Sequence, residues 1–383
     1  MQIPFTSSPR SSLGVEWELE LVDLQTRELA SGTAAGDILR ELAAPHGAEH
    51  PKAKHELLES CIEVITGVCL TVAEAEKDLM ETLSEVSAAA ERRGLGVMCS
   101  GTHPFTDWAT QQISPNPRYA KLIEDMQWLA RRLQIFGVHV HVGVRSPDKA
   151  IPIVNALTAY IPHFLALSAS SPYWMGTDTG LASARSKVFE GLPTAGLPYQ
   201  LSGWDDFERF METLISAQTI STIREVWWDV RPHPNFGTVE LRICDGLPTL
   251  HEIGWVAALS QCLVEMLNAQ LDKGYTLPMP KGWTVRENKW RAARYGIDAD
   301  IIVDETGRTT PLRDAFEELV HDLAPIADRL GCAAELGRAR QMLDVGPSYL
   351  RQRAVAEAAG GDLIAVVDSL VAEMRDNTPA GSR

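Results

Sequence analysis

Gly14-Val15-Glu16-Trp17-Glu18-Leu19-Glu20-Leu21 alternates apolar and acidic residues without a break. That is the period-2 signature of a strand with one dry and one wet face. Val15, Trp17, Leu19 and Leu21 then point into a core, and Glu16, Glu18 and Glu20 line up on the opposite side. Carboxylates about 7 Å apart repel by roughly 2 kcal/mol per pair at an effective dielectric near 20. A divalent cation would turn that repulsion into attraction, whereas a solvated acidic face would merely tolerate it. This segment alone leaves both readings open, and three further stretches bear on the choice.

In Phe136-Gly137-Val138-His139-Val140-His141-Val142-Gly143-Val144 the valines face one way. Gly137, His139, His141 and Gly143 face the other, and the small glycines leave open space beside two imidazoles, a familiar metal or phosphate arrangement. Phe236-Gly237-Thr238-Val239-Glu240-Leu241-Arg242-Ile243-Cys244-Asp245 puts Val239, Leu241 and Ile243 on its dry face and Glu240 with Arg242 on the other. Taken alone, that Glu-Arg pair also fits a structural ion pair. Glu56-Leu57-Leu58-Glu59-Ser60-Cys61-Ile62-Glu63-Val64-Ile65-Thr66 carries further carboxylates, and a strand over its second half sets Glu63 on a polar face. One polar-faced strand is ordinary. Four suggest a sheet whose concave side is a charged reaction chamber. Carboxylates with an occasional imidazole and no thiolate cluster favour Mg²⁺ or Mn²⁺ over structural zinc. Such ions bridge the phosphates of ATP in phosphoryl transfer.

The 383 residues can bury a large core, and 45% apolar with 22% charged residues is ordinary for a globular enzyme. A net charge of −16 argues against nucleic acid or an anionic membrane as the main partner. Cys61, Cys69, Cys99, Cys244, Cys262 and Cys332 are scattered and read as reduced, mostly buried thiols of a cytoplasmic protein. The first residues lack the apolar run of a signal peptide. Residues 150–177 carry no Asp to the left of Asp178 and no Glu, Lys or Arg, so a membrane span has to be considered. Asn155, His163, prolines and a serine cluster interrupt the stretch, and a buried helix followed by a loop fits better.

Helical periodicity covers Val72–Arg93, with Ala73, Leu79, Met80, Leu83, Val86 and Ala90 inward and Gly94 as the stop. Further helices are expected over Ala120–Gln134, running directly into a strand Ile135–Val144, and over Asp205–Val226, Ile253–Leu271, Leu312–Leu330 and Leu336–Leu343. Residues 1–374 read as a single catalytic domain and Arg375–Arg383 as a polar, frayed tail. Strands distant in sequence and the absence of β-α-β alternation give an α+β class with antiparallel or mixed pairing. Neither G-x-x-x-x-G-K-[ST] nor G-x-G-x-x-G occurs, so a nucleotide would be held by metals and arginines on a sheet.

These residues resemble the glutamate–cysteine ligase type 2 group of carboxylate-amine ligases, relatives of glutamine synthetase. The resemblance rests on Leu13-Gly14-Val15-Glu16-Trp17-Glu18, Gly101-Thr102-His103-Pro104-Phe105, Phe136 to Gly143, Leu167-Ser168-Ala169-Ser170-Ser171-Pro172, Asp178 to Ser186, Trp227-Trp228-Asp229-Val230-Arg231-Pro232, Phe236 to Arg242 and Trp290-Arg291-Ala292-Ala293-Arg294-Tyr295-Gly296. It implies a curved, mainly antiparallel sheet forming a funnel backed by helices. It further implies metal ligands at Glu16, Glu18, Glu63, His139 and Glu240, with Glu56 as an additional member. Arg185, Arg242 and Arg231 would contact phosphate or carboxylate. Trp17 departs from the acidic residue that many members carry there, which leaves metal binding untouched and raises a question of local packing.

The activity so implied joins a carboxylate, the γ-carboxylate of glutamate, to an amine such as cysteine through an acyl phosphate made from ATP. Arg185 and Arg242 would stabilise the transferred phosphoryl group. His141 fits a metal ligand, a base for the amine, or a second-sphere partner. Asn288, Arg291 and Arg294, at helical spacing, fit nucleotide phosphates, a solvated face or a subunit contact, and a homodimer is implied by the resemblance alone. Two competing readings remain: a zinc hydrolase built on His139 and His141, and a degenerate member that binds nucleotide without turnover.

Overall fold

The computed structural model describes residues 1–382; Arg383, the end of the expected polar tail, lies outside the described residues. Seven strands make the main sheet: β1 (Leu13–Asp23), β2 (Ala53–His55), β3 (Cys61–Ile65), β4 (Leu95–Met98), β5 (Val138–Gly143), β6 (Val230–His233) and β7 (Thr238–Leu241). They run β6-β7-β5-β1-β3-β2, with β4 continuing alongside β1, and every pairing is antiparallel. The acidic strand is therefore central. Its register sets Glu16 opposite His139 and Glu18 opposite Glu63, while Glu240 faces His141 on one side and Arg231 on the other.

The dry face of β1 is closed, with Val15, Trp17, Leu19 and Leu21 all buried. Trp17 is 0% exposed and its indole N–H donates to the Leu247 carbonyl (3.0 Å), which satisfies the one polar atom a tryptophan brings into a core. Against this face pack the helices Val72–Glu91 and Leu250–Asp272. The second is apolar nearly all round and is buried nearly all round, wrapped by Leu312–Leu330 and Ala333–Val345. The first opens with a reciprocal cap between Thr71 and Glu74 and stops before Gly94, whose φ of 71° suits glycine. Leu79, Leu83, Val86 and Ala90 face inward as expected, joined by Val72 and Ala75, whereas Ala73 and Met80 face solvent.

Three other boundaries differ from expectation. The expected helix Ala120–Gln134 is Pro117–Met126 followed, after a break at Gln127 (φ 48°), by a single turn Trp128–Arg131. The strand after it begins only at Val138, because Phe136 is spent on a backbone bond to Gly101 (3.0 Å). The helix expected to reach Val226 ends at Ser216, and left-handed Gln218 (φ 56°) turns the chain away. The uncharged stretch forms Pro147–Leu157 and Ile161–Ser168, 83% of its most apolar window buried inside the fold, so its hydrophobicity is accounted for by packing. The last helix, Leu363–Asp376, runs into the segment read as a tail, and Asn377 Oδ1 then accepts the Leu250 N–H (2.8 Å) at the start of the central helix.

The glycines of the polar face are filled by the chain itself. A Cβ on Gly137 would strike the Arg185 guanidinium, and one on Gly143 would strike the Arg10 carbonyl. Gly237 (φ 64°) is passed so closely by Thr6 that a Cβ would fall on the Thr6 carbonyl. The leading segment is pinned there by Thr6 N–H to Pro234 O and Ser8 N–H to Val144 O, each 2.9 Å.

Candidate active site

Antiparallel register brings the polar residues of β1, β3, β5 and β7 into one cluster. Glu16 is its hub: Oε2 lies 3.0 Å from His139 Nδ1 and Oε1 lies 3.1 Å from His141 Nε2. Since His141 Nδ1 is also bonded, to Thr238 Oγ1 (3.0 Å), both of its ring nitrogens are committed. Glu240, 1% exposed, accepts from Arg231 Nε (2.7 Å) and Nη2 (3.2 Å) and from Arg242 Nη1. Burial works against the charge of Glu240, yet Arg231, Arg242 and His141 hold its carboxyl well below the usual range. Burial likewise acts to raise Glu16, and the two imidazoles outweigh it and pull the group down. His141 is raised, because Glu240 and Glu16 outweigh the effect of burial.

On the other side of the cluster the balance reverses. Glu18, Glu56 and Glu63 bring carboxylate oxygens within 4.8 Å of one another. Burial, with the charge of Glu56 added, pushes Glu18 up to about 8. Glu63 is raised well above its ordinary value by burial and by Glu16, Glu56 and Glu18 together, and Glu56 is raised by burial. His139, drawn down to about 4 by burial and Arg242, keeps Nε2 buried with no protein partner, 3.9 Å from Glu18 Oε1.

These residues fit a hard divalent cation. Three crowded carboxylates and an unpartnered neutral imidazole nitrogen form a mostly oxygen donor set that lacks only positive charge. A second candidate grouping, Glu16–Glu63–His139, shares Glu63 with the first, and a third, Glu16–His141–Glu240, shares Glu16 with the second.

A cavity of about 460 Å³ opens from this cluster, lined there by Glu18, Glu56, His139, Arg185 and Arg242. Arg185 enters from the helix Ala184–Phe189 and lies across Gly137, its Nη1 and Nη2 each 3.3 Å from a carbonyl of Ile243 or Arg242. Buried Asp245 anchors the base of that helix by accepting from Ser171 Oγ (2.6 Å), Ser183 Oγ (2.8 Å) and Ser170 N–H (3.0 Å). Sequence reading missed this hub, although the serine-rich motifs that build it were visible. It also missed Lys289, fully buried between Asp229 Oδ2 (2.6 Å) and Glu190 Oε1 (2.5 Å), which ties the arginine helix to the strand pair holding Arg231.

The structure does not bring Asn288, Arg291 or Arg294 to this cavity. Asn288 trades bonds with the Ile302 backbone (2.9 and 2.8 Å), Arg291 pairs with Glu287 (2.9 Å), and Arg294 bonds the Gly180 carbonyl.

The pattern that defines glutamate-cysteine ligase family 2 (GCS2) matches residues 12–369. The chain belongs to that family. A putative glutamate–cysteine ligase 2-1 of Frankia casuarinae is 65% identical over 380 residues, 99% of each chain. A putative glutamate–cysteine ligase 2 of Thermobifida fusca is 56% identical, covering 99% of this chain and 95% of its own. Among solved structures, the glutamate–cysteine ligase of Francisella tularensis in complex with AMP superposes with a TM-score of 0.69 at 13% identity, over 97% of this chain and 93% of that one. A bifunctional glutathione synthetase from Pasteurella multocida gives 0.67 at 16% identity over 96% of this chain and 52% of its own. At those identities the likeness is one of fold, and it bears out the antiparallel, helix-backed architecture. Within this GCS2 member the zinc-hydrolase reading is not favoured, because both nitrogens of His141 are already bonded, which leaves His139 as a single imidazole among carboxylates.

Proposed function

We propose that the protein is an ATP-dependent carboxylate-amine ligase of the glutamate–cysteine type, activating a carboxylate as its acyl phosphate and closing an amide with an amine. One observation carries the reading: an under-neutralised carboxylate cluster and two arginines, Arg185 and Arg242, share the wall of one cavity. Glu16, Glu18, Glu56, Glu63, His139 and Glu240 would hold Mg²⁺, which would supply positive charge against the negative charge that develops during phosphoryl transfer.

The protein's own residues supply the rest. Arg185 packs over Gly137 at the cavity wall, where its guanidinium would face a phosphoryl oxygen. Arg242 is buried, with its Nε unpartnered and its charge balanced by Glu240, and would stabilise the same oxygens without reorganising. Arg231 neutralises Glu240 from the far side and holds it in place. His141, with a raised proton affinity beside Glu16 and Glu240, positions Glu16. No covalent enzyme intermediate is needed, since the acyl phosphate forms on the substrate.

The test is release of ADP and phosphate from MgATP against a panel of paired amino acids and amines, with mass spectrometry of the products. Amide formation strictly dependent on ATP, a divalent ion and both partners is the expected result. Hydrolysis of amides without ATP, or nucleotide binding without turnover under every pairing, overturns the proposal.

A further inference from the structure

Lys289 stands outside the cavity lining, yet both arginines of the cavity wall are held through partners of this one side chain. It lies on the helix Gly282–Tyr295 and is 1% exposed. Burial works against its charge, but Asp229 and Glu190 outweigh burial, and the ammonium keeps its proton. Each of those carboxylates belongs to the support of one arginine. Asp229 precedes β6, and its carbonyl accepts the Arg242 N–H (2.8 Å) while its own N–H is tied to the Gly196 carbonyl (2.7 Å). Glu190 ends the helix Ala184–Phe189 that carries Arg185, its N–H donating to the Ser186 carbonyl (3.2 Å) and its second carboxylate oxygen accepting from Lys187 Nζ (2.9 Å). Asp245 bolts the start of that helix and Lys289 bolts its end. The circuit closes where Arg185 Nη2 reaches the Arg242 carbonyl (3.3 Å).

A buried ion network seldom stabilises a fold more than apolar packing of the same volume. Stability is therefore a poor reason for a lysine and two carboxylates here. We propose that Lys289 is a positioning residue: from behind the site it fixes the spacing between Arg185 and Arg242, without touching substrate. This rests on the ligase reading and deepens it, by adding a brace to the two phosphate-handling arginines. Preorganised donors lose force steeply when they drift, a displacement of about 1 Å costing on the order of 10²-fold in rate. Since these arginines act on charge that develops only during transfer, the loss belongs in kcat and not in KM.

Three variants test the brace. Glu190→Ala cuts the tie to the arginine helix and leaves Lys289 paired with Asp229, so no buried charge is stranded. Lys289→Met, Asp229→Asn and Glu190→Gln combined remove all three charges at once. Lys289→Arg keeps a forked donor between the two carboxylates. Each is compared with the unaltered protein by melting temperature, by hydrogen exchange of the amides of residues 184–190, and by kinetics with MgATP and the preferred pair of the panel above. In Glu190→Ala and in the charge-free variant, melting temperature should stay close to the parent's while the helix amides exchange faster. Their kcat should fall by at least about tenfold, with the KM for MgATP kept within about twofold. Lys289→Arg should recover most of that kcat. Parental kcat with parental exchange in Glu190→Ala overturns the proposal, because Lys289 then only balances charge; so does a loss that falls on the KM for MgATP. Should the charge-free variant fail to fold, Glu190→Ala decides alone. Exchange is read without substrate, so a failed brace is told apart from a failed ligase reading, in which the unaltered protein makes no ATP-dependent product.

Discussion

Glu16 and Glu18 are two residues apart on one strand, and their surroundings are opposite. Glu16, with Glu240, sits among His139, His141, Arg231 and Arg242, and both carboxyls are held below their ordinary range. Glu18, with Glu56 and Glu63, sits among other carboxylates, and all three are raised. One half of the polar face is neutralised by the protein and the other half is left in debt. A fold that gained only stability from these residues would have neutralised both. The imbalance supports the proposal that a cation from solution completes the site.

The largest effect that would break this comparison is on turnover. Glu18→Gln should cut metal-dependent ADP formation by at least on the order of 10²-fold, the scale of losing one electrostatic contact to the transition state. In the metal-free protein the same change should leave the melting temperature equal or higher, while the rise in melting temperature on adding Mg²⁺ disappears. Undiminished turnover would show that Glu18 is no ligand. Next in size is the neutralised half. Arg231→Met leaves Glu240 buried with one guanidinium fewer, and urea denaturation should register a loss of about 3–5 kcal/mol. A variant as stable as the parent would mean that Glu240 does not depend on that pair.

Protons sharpen the contrast. Because burial and the neighbouring carboxylates push Glu18 up to about 8, with Glu56 and Glu63 raised beside it, loading Mg²⁺ near neutral pH should expel protons. Affinity should climb as pH rises through neutrality, as these raised carboxyls lose their protons. Calorimetry in two buffers of different ionisation enthalpy reads the proton count, and identical heats would contradict the crowding argument. The smallest effect concerns Glu20, further along the same strand and pushed up to about 8 by burial although Ser100 donates to it twice (2.8 Å each). A folded-state value above the ordinary 4.5 favours the fold at low pH, and that contribution is lost as pH rises through about 8. Glu20→Gln should therefore flatten the decline of melting temperature across that window, as scanning calorimetry would show.

What was legible in the sequence was whatever repeats locally. Alternation is set by the strand itself, so the faces of β1, β5 and β7 and the meeting of Glu16, Glu63, His139 and Glu240 followed from reading each stretch alone and asking that they pair. The glycines show where that logic stops. Gly137 and Gly143 do mark room beside the histidines, but Arg185 and Arg10 occupy it, and no pattern within nine residues reveals a neighbour from elsewhere in the chain. Helix ends failed for a related reason: Gln127 and Gln218 take left-handed conformations that no glycine or proline announces. Asn288, Arg291 and Arg294 share a helical spacing, yet each is claimed by a contact that only the tertiary structure supplies.

The segment that threads past Gly237 also has a practical corollary. Thr6 and Ser8 tie it to Pro234 and Val144 (2.9 Å each), and the Thr6 carbonyl rests where any larger residue at position 237 would stand. Giving position 237 even a methyl group would shoulder that segment aside, and the disturbance would arrive one residue from Thr238, whose hydroxyl holds His141 (3.0 Å).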